Sequence, residues 1–257
     1  MKRILIILAM VCQAIWCGTA AQGALGNPSV KFYEGNLSYK QGNYEKAIAT
    51  YEEVLKEGFA SGALYYNLGN SYFKAQQLGK AILSYERAKL FIPRDSDVQS
   101  NLNYAMSRSR ASSTPQEISF LKKIFDDYKD LLTSREMMWI VVILYILIGV
   151  ALVCAEIFQL STRTRWLLVI FLASVTVAQG FLWISNVQNI SRAVVVLEDA
   201  QAKFEPSDQA TQHFYLFAGE KVFVLRSEGA WAKIQRLDGK LGWVKVSDVE
   251  RLISEQR

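Results

Sequence analysis

The chain has 257 residues, is 51% hydrophobic and carries a formal net charge of +5. That charge is dispersed, with no basic run longer than Lys122-Lys123, so the concentrated basic face that nucleic acid requires is missing. The length leaves room for two small domains beside a pair of long apolar runs.

The N-terminus reads as an export signal over residues 1–23. Lys2 and Arg3 precede an apolar stretch from Ile4 to Ile15, interrupted only by Gln13, and small residues follow from Gly18 to Ala24. Basic, apolar and small residues in that order are the pattern of a cleaved signal peptide. Cleavage after Ala21 or after Gly23 fits equally. Lipidation is disfavoured because Val11 and Trp16, neither of them small, precede Cys12 and Cys17.

Residues 29–110 repeat at a 34-residue shift. Gly35-Asn36 recurs as Gly69-Asn70, Tyr39-Lys40 as Phe73-Lys74, Ala47-Ile48 as Ala81-Ile82, and Tyr51-Glu52 as Tyr85-Glu86. That period is the signature of the tetratricopeptide repeat, a pair of antiparallel helices. The second copy resembles the family pattern most closely, in Tyr65, Leu68, Gly69, Tyr72, Ala81, Tyr85, Ala88 and Pro93. The first departs from it at Lys31 and Glu34, which predicts a weakly packed outer helix. The small residues permit close helix approach, Tyr51 and Tyr85 fill the space between, and Pro93 ends the second pair. Asp95 to Arg110 reads as a third, half copy that caps the stack.

The first helix of each such repeat lines a concave surface that commonly holds a peptide or a helix. The resemblance therefore places Phe32, Asn36, Tyr39, Lys40, Tyr66, Asn67, Asn70, Phe73 and Lys74 on a partner-binding face. Asparagine amides there can bond a peptide backbone and aromatic rings can seat side chains. Taken singly, each of these residues is read first as solvated or turned onto the next helix. One subtype grips a C-terminal carboxylate with asparagines and basic residues. Asn36 and Asn67 match its asparagines, but Phe32, Asp97 and Asn101 stand where its bases should be, so no carboxylate clamp is expected.

Residues 111–136 read as a connector. Ala111-Ser112-Ser113-Thr114-Pro115 is linker-like. Ile118, Leu121, Ile124, Phe125, Tyr128, Leu131 and Leu132 then recur at helical steps opposite Lys122, Lys123, Asp126, Asp127, Lys129 and Asp130. This amphipathic helix can lie on a membrane, pack on the repeats or bind a partner helix. Thr133 and Glu136 have capping-box spacing.

Two uncharged runs follow, Met137–Ala155 and Trp166–Ser191. About 20 apolar helical residues cross a bilayer core, so 137–155 and 166–190 are expected to be transmembrane helices rather than buried core helices. The loop 156–165 carries Arg163 and Arg165, which predicts a cytoplasmic bend and places both flanking domains across an inner membrane, in the periplasm.

Residues 193–253 carry strand-like runs at Ala193–Leu197, Phe214–Phe217, Lys221–Arg226, Trp231–Arg236 and Lys240–Lys245. Turn signals fall at Ala218-Gly219, Glu228-Gly229 and Asp238-Gly239. The elements Gly229-Ala230-Trp231 and Gly242-Trp243-Val244 resemble a bacterial SH3-type barrel. Such modules bind peptides or cell-wall polymer, which makes Tyr215, Trp231 and Trp243 candidate ligand contacts; a tryptophan can also be core. The expected fold class is thus a multidomain membrane protein: an all-α repeat stack, a two-helix hairpin and a small all-β SH3-like barrel.

No enzyme is expected. The only histidine, His213, lies just before a barrel strand, read as an exposed turn position, while Cys154 lies in an apolar run, so no cysteine–histidine pair or histidine metal site can assemble. No catalytic residue, metal or cofactor is anticipated. The order of parts, with Tyr65-Tyr66-Asn67-Leu68-Gly69-Asn70 and Ala81-Ile82-Leu83-Ser84-Tyr85-Glu86-Arg87-Ala88, resembles the BatE family of Bat (Bacteroides aerotolerance) operons. The resemblance implies a scaffold in a complex with other Bat proteins, including von Willebrand A-type membrane proteins and a MoxR-type ATPase, for tolerance of oxidative or envelope stress. The competing expectation is an envelope sensor whose barrel binds cell-wall peptide or glycan.

Overall fold

The computed structural model describes residues 28–110, 128, 131–159 and 161–253. The expected export signal, the linker and most of the amphipathic helix lie outside the described residues.

Five helices form the repeat stack: α1 (Pro28–Lys40), α2 (Tyr44–Lys56), α3 (Gly62–Lys74), α4 (Leu78–Phe91) and α5 (Ser96–Arg108). Local chemistry sets their ends. Pro28 opens α1, where its missing N–H costs nothing. The Ser61 hydroxyl accepts from Leu64 N at 3.2 Å, and the Asp95 carboxylate accepts from Asp97 N and Val98 N. The α1–α2 turn passes through Gly42 at φ +79°, and its counterpart one repeat later is Gln76 at +62°.

The repeating small residues let the helices pair closely. A Cβ at Gly35 would overlap the Tyr51 ring, and one at Gly69 would sit 2.7 Å from the Tyr85 ring. Both tyrosines are almost fully buried. In α1, where the pattern fails, Lys31 reaches across to Glu53 of α2 and to Glu57, which caps the C-terminus of α2, so ion pairs replace an aromatic contact. Val30, Tyr33 and Leu37 stay exposed on its outer side, as expected of an end helix.

Two long helices follow, α6 (Ser134–Ile157) and α7 (Thr162–Arg192). The anticipated capping box is present: Thr133 Oγ1 accepts from Glu136 N at 3.2 Å while Glu136 Oε2 accepts from Thr133 N at 2.9 Å. Each helix is long and apolar enough to cross a membrane, over Ser134–Ile157 and Thr162–Gln188. They pack antiparallel, with Asn186 Nδ2 against Met137 Sδ near one end and Arg165 paired with Glu156 at the other. The stack and the barrel are therefore attached at the same end of this hairpin.

The barrel comprises β1 (Ala193–Val196), β2 (Ala200–Lys203), β3 (Gln212–Leu216), β4 (Lys221–Glu228), β5 (Trp231–Arg236), β6 (Leu241–Lys245), a 3-10 turn (Val246–Asp248) and β7 (Val249–Arg251). The strands are ordered β3-β2-β6-β5-β4-β1-β7, with every pairing antiparallel. Val196, Ala202, Leu216, Val222, Ile234 and Val244 form its core. His213 proves to lie within β3 rather than in a turn; it stacks on Phe204 with ring centroids 4.1 Å apart, and its Nδ1 donates to the Leu241 carbonyl.

The barrel is seated on α4. Val195 belongs to the same buried cluster as Ile82, Leu83 and Tyr85, and Leu197 packs against that cluster. Two glycines permit the approach. A Cβ at Gly79 would overlap the Leu197 carbonyl, and one at Gly219, whose φ is +83°, would overlap Ile82 Cδ1. Polar contacts surround this apolar seat. Arg87 donates to the carbonyls of Leu252 (3.0 Å) and Arg251 (2.7 Å) and to Glu250 Oε1 (2.8 Å), Lys221 pairs with Glu86 at 2.9 Å, and Ser109 donates to the Ala218 carbonyl.

Candidate partner-binding face

The second helix of the second repeat, α4, carries the barrel. The first helices, α1 and α3, together with α5, present the opposite face, and all nine residues anticipated from the repeat pattern lie on α1 and α3. Spacing explains the gathering. Positions 32, 36 and 39 share one side of α1 at three- and four-residue steps, as do 66, 70 and 73 on α3, and the 34-residue period puts the two sets in register.

The asparagines form a ladder. Tyr51 Oη donates to Asn36 Oδ1 at 2.7 Å, and Asn67 Nδ2 donates to the same oxygen at 2.8 Å. One repeat on, Tyr85 Oη donates to Asn70 Oδ1 at 2.7 Å and Asn101 Nδ2 donates to it at 3.0 Å. Asn101 Nδ2 also donates to Tyr66 Oη at 3.0 Å. Each rung thus ties a second helix to its own first helix, and that helix to the next repeat. Burial pushes the Tyr51 hydroxyl up to about 12 and raises that of Tyr85 as well, so both remain protonated donors at neutral pH. The Oδ1 atoms of Asn36 and Asn70 already take two donors each and are not open peptide acceptors.

The aromatic residues form a half-buried row on this face. Phe32 tilts against Tyr51 with centroids 5.9 Å apart, and Tyr66 lies 6.1 Å from Tyr85. Tyr39 meets Tyr44 edge-on at 5.5 Å; burial, with Tyr44 and Tyr66 nearby, raises its hydroxyl above the usual phenol range. Phe73 lies 5.6 Å from Tyr104, which is 56% exposed. Lys40 and Lys74 are exposed in the last turns of α1 and α3, and no carboxylate pairs with either among the described residues. The row therefore offers aromatic edges flanked by two ammonium groups, a surface suited to side chains of an extended segment and to its carbonyls or carboxylates.

Two residues of this face went unassigned in the sequence reading, Asn101 as a ladder member and Tyr104 as the end of the row. Asn101 follows from one more 34-residue step from Asn67, whereas Tyr104 stands one step from Asn70 and breaks the pattern, so periodicity does not announce it.

The barrel's candidate contacts separate. Tyr215 is 52% exposed, Trp231 is half-buried, and Trp243 is only 5% exposed. Trp243 is covered by Arg226 and Lys233, whose cationic groups lie 5.1 and 5.9 Å from its ring, so its faces offer no open contact surface. Among the described residues no group of His, Cys, Asp and Glu is arranged to hold a metal.

The tetratricopeptide repeat family matches residues 28–57 and 62–94, and the bacterial SH3 domain family matches residues 203–250. No curated protein matches the chain. The chain thus carries two tetratricopeptide repeats, which indicate protein–protein interaction, and a bacterial SH3 domain, with α5, α6 and α7 between them in sequence.

Proposed function

We propose that this protein is a non-enzymatic membrane scaffold whose repeat stack grips a partner protein while α6 and α7 fix the assembly in the bacterial inner membrane. One observation carries this reading: the aromatic row and the lysines of the α1/α3/α5 face are open, whereas α4 is already occupied by the barrel. With α4 covered by the barrel, the first-helix side of the stack is the face left for others. Arg163 and Arg165, in the first turn of α7 beside the bend, support a cytoplasmic placement of that end, with stack and barrel in the periplasm. The order of parts resembles BatE, and on that basis the partner is a von Willebrand A-type membrane protein of a Bat-type complex that supports oxidative or envelope stress tolerance.

Photo-crosslinking in native membranes tests the reading. A photoreactive residue at Tyr104 is expected to capture a von Willebrand A-type membrane protein, and one at Lys56, on α2, is not. Equal capture from both positions, or none from Tyr104, defeats the proposal. An impermeant thiol reagent applied to intact spheroplasts is expected to label Lys240→Cys; labelling only after lysis defeats the periplasmic placement.

A second reading, an envelope sensor, is favoured by exposed Tyr215 beside the Phe204–His213 stack. Co-sedimentation of the whole protein with purified peptidoglycan, abolished by Tyr215→Ala, supports it; sedimentation unchanged by that substitution removes it.

A further inference from the structure

The connection between α7 and the barrel has no spare residue. The apolar part of α7 ends at Gln188, the helix ends at Arg192 and β1 begins at Ala193. Four helical residues rise about 6 Å, so the barrel begins close to the end of the apolar stretch. Strand direction then matters. β1 runs away from the helix, and β4 is antiparallel to it, with Ala193 opposite Phe223 and Val195 opposite Lys221. β4 continues from Phe223 to Glu228, back past the helix end by about 16 Å at 3.3 Å per residue. α7 and β4 are in contact. The β4–β5 hairpin therefore extends back on the α7 side of the barrel.

The β4–β5 end of the barrel is cationic and partly apolar. Gly229, at φ +57°, makes the turn, and Trp231 follows opposite Glu228. Lys203 Nζ and Lys245 Nζ lie 5.6 and 5.8 Å from the Trp231 ring, while Arg226 and Lys233 flank Trp243 one strand over. Leu225 is 48% exposed, and Val246, whose N–H donates to the Ala230 carbonyl, is 45% exposed. Two acids temper the charge: Glu228 pairs with Arg226 at 3.1 Å and Asp208 with Lys245 at 2.8 Å. Asp248 also acts electrostatically on Lys245, so four cations stand against three anions; set around a tryptophan and two exposed aliphatics, they match a headgroup layer.

We propose that the β4–β5 hairpin rests on the surface of the bilayer that α7 crosses, with Trp231 at headgroup level and Lys203, Arg226, Lys233 and Lys245 recognising anionic phospholipid. This rests on the reading of α6 and α7 as membrane spans. The contact gives the barrel a second hold besides α7, and through α4 it sets the height of the repeat stack above the membrane.

Single-cysteine versions of the full chain, with the other cysteines replaced by serine, carry a nitrobenzoxadiazole label at native Cys154, at Ala230→Cys or at Lys240→Cys. They are reconstituted in nanodiscs of phosphatidylcholine, with or without phosphatidylglycerol, containing headgroup nitroxide lipid. The expected result is quenching at Cys154 and at Ala230→Cys and none at Lys240→Cys. Quenching at Ala230→Cys should grow with phosphatidylglycerol and be lost when Lys203→Glu and Lys233→Glu are added. Quenching at Cys154 without quenching at Ala230→Cys overturns this proposal and leaves the spans standing. Quenching at Ala230→Cys that ignores phosphatidylglycerol overturns the recognition of anionic lipid. Absence of quenching at Cys154 overturns the span reading and this proposal with it.

Discussion

The two faces of the repeat stack use the same helical pairs in opposite ways. On the α4 side, an apolar patch around Ile82 and Leu83 is covered by Val195 and Leu197, Gly79 makes room for the Leu197 carbonyl and Gly219 for the Ile82 side chain, and Arg87 pins the last strand. On the α1/α3/α5 side, the polar groups are spent inside the stack as tyrosine–asparagine rungs, and what remains outward is a row of rings and two lysines. The first face is a finished interface. The second is internally satisfied and still open. A repeat stack thus separates the residues that hold it together from those left facing outward, even where both kinds alternate along one helix.

The largest expected effect comes from closing the space between stack and barrel. Gly79→Ala sets a methyl against the Leu197 carbonyl, and the docked state should lose about 3 kcal/mol, less than 1 of which is regained from helix propensity. Hydrogen exchange should rise in β1 and α4 and stay unchanged in the α1–α3 rungs. Asn70→Ala is the reciprocal break. It leaves the hydroxyl of Tyr85, a residue only 2% exposed, without its acceptor, and about 2 kcal/mol should be lost from the stack in urea unfolding while exchange at the barrel seat holds. Arg87→Lys is gentler: it keeps the charge but loses the fork that serves two carbonyls and Glu250, which should cost about 1 kcal/mol and loosen β7 first.

One further effect is read by pH. The Tyr51 hydroxyl is raised to about 12 in the folded chain against an ordinary 10, so the unfolded chain releases its proton first. The stability linked to this group is complete below pH 10 and is lost as pH rises from 10 through about 12. Tyr51→Phe should flatten that part of the stability–pH curve; an identical curve for both proteins contradicts the assignment.

Much of this arrangement was legible in the sequence because one signal repeats. The glycine–tyrosine pairs recur 34 residues apart, and so do the rungs, Asn36 with Tyr51 and Asn70 with Tyr85. The internal role of the asparagines was masked by chemistry, since an amide suits a peptide ligand as well as a neighbouring tyrosine. β2 was missed because Ala200-Gln201-Ala202-Lys203 has no β-branched or aromatic residue; its ladder with β3 makes it a strand. β7 is three residues long and is held by β1 and Arg87. The barrel's seat was not legible at all. Gly79 reads as an ordinary helix-start residue and Gly219 as an ordinary turn, and only their meeting with Leu197 and Ile82, far off in sequence, gives them their role.

That seat restricts how the molecule can grow. Because the barrel grips α4 and the hairpin is tied to the same end through the Arg94–Glu136 pair, a duplicated unit cannot enter between α4 and the hairpin without tearing both attachments. An extra 34-residue module inserted between α2 and α3 would add one rung and one pair of rings and push α1 outward, leaving everything downstream in place. Lengthening is open in one direction only, away from the hairpin, so the reach of the groove can change while its mounting does not.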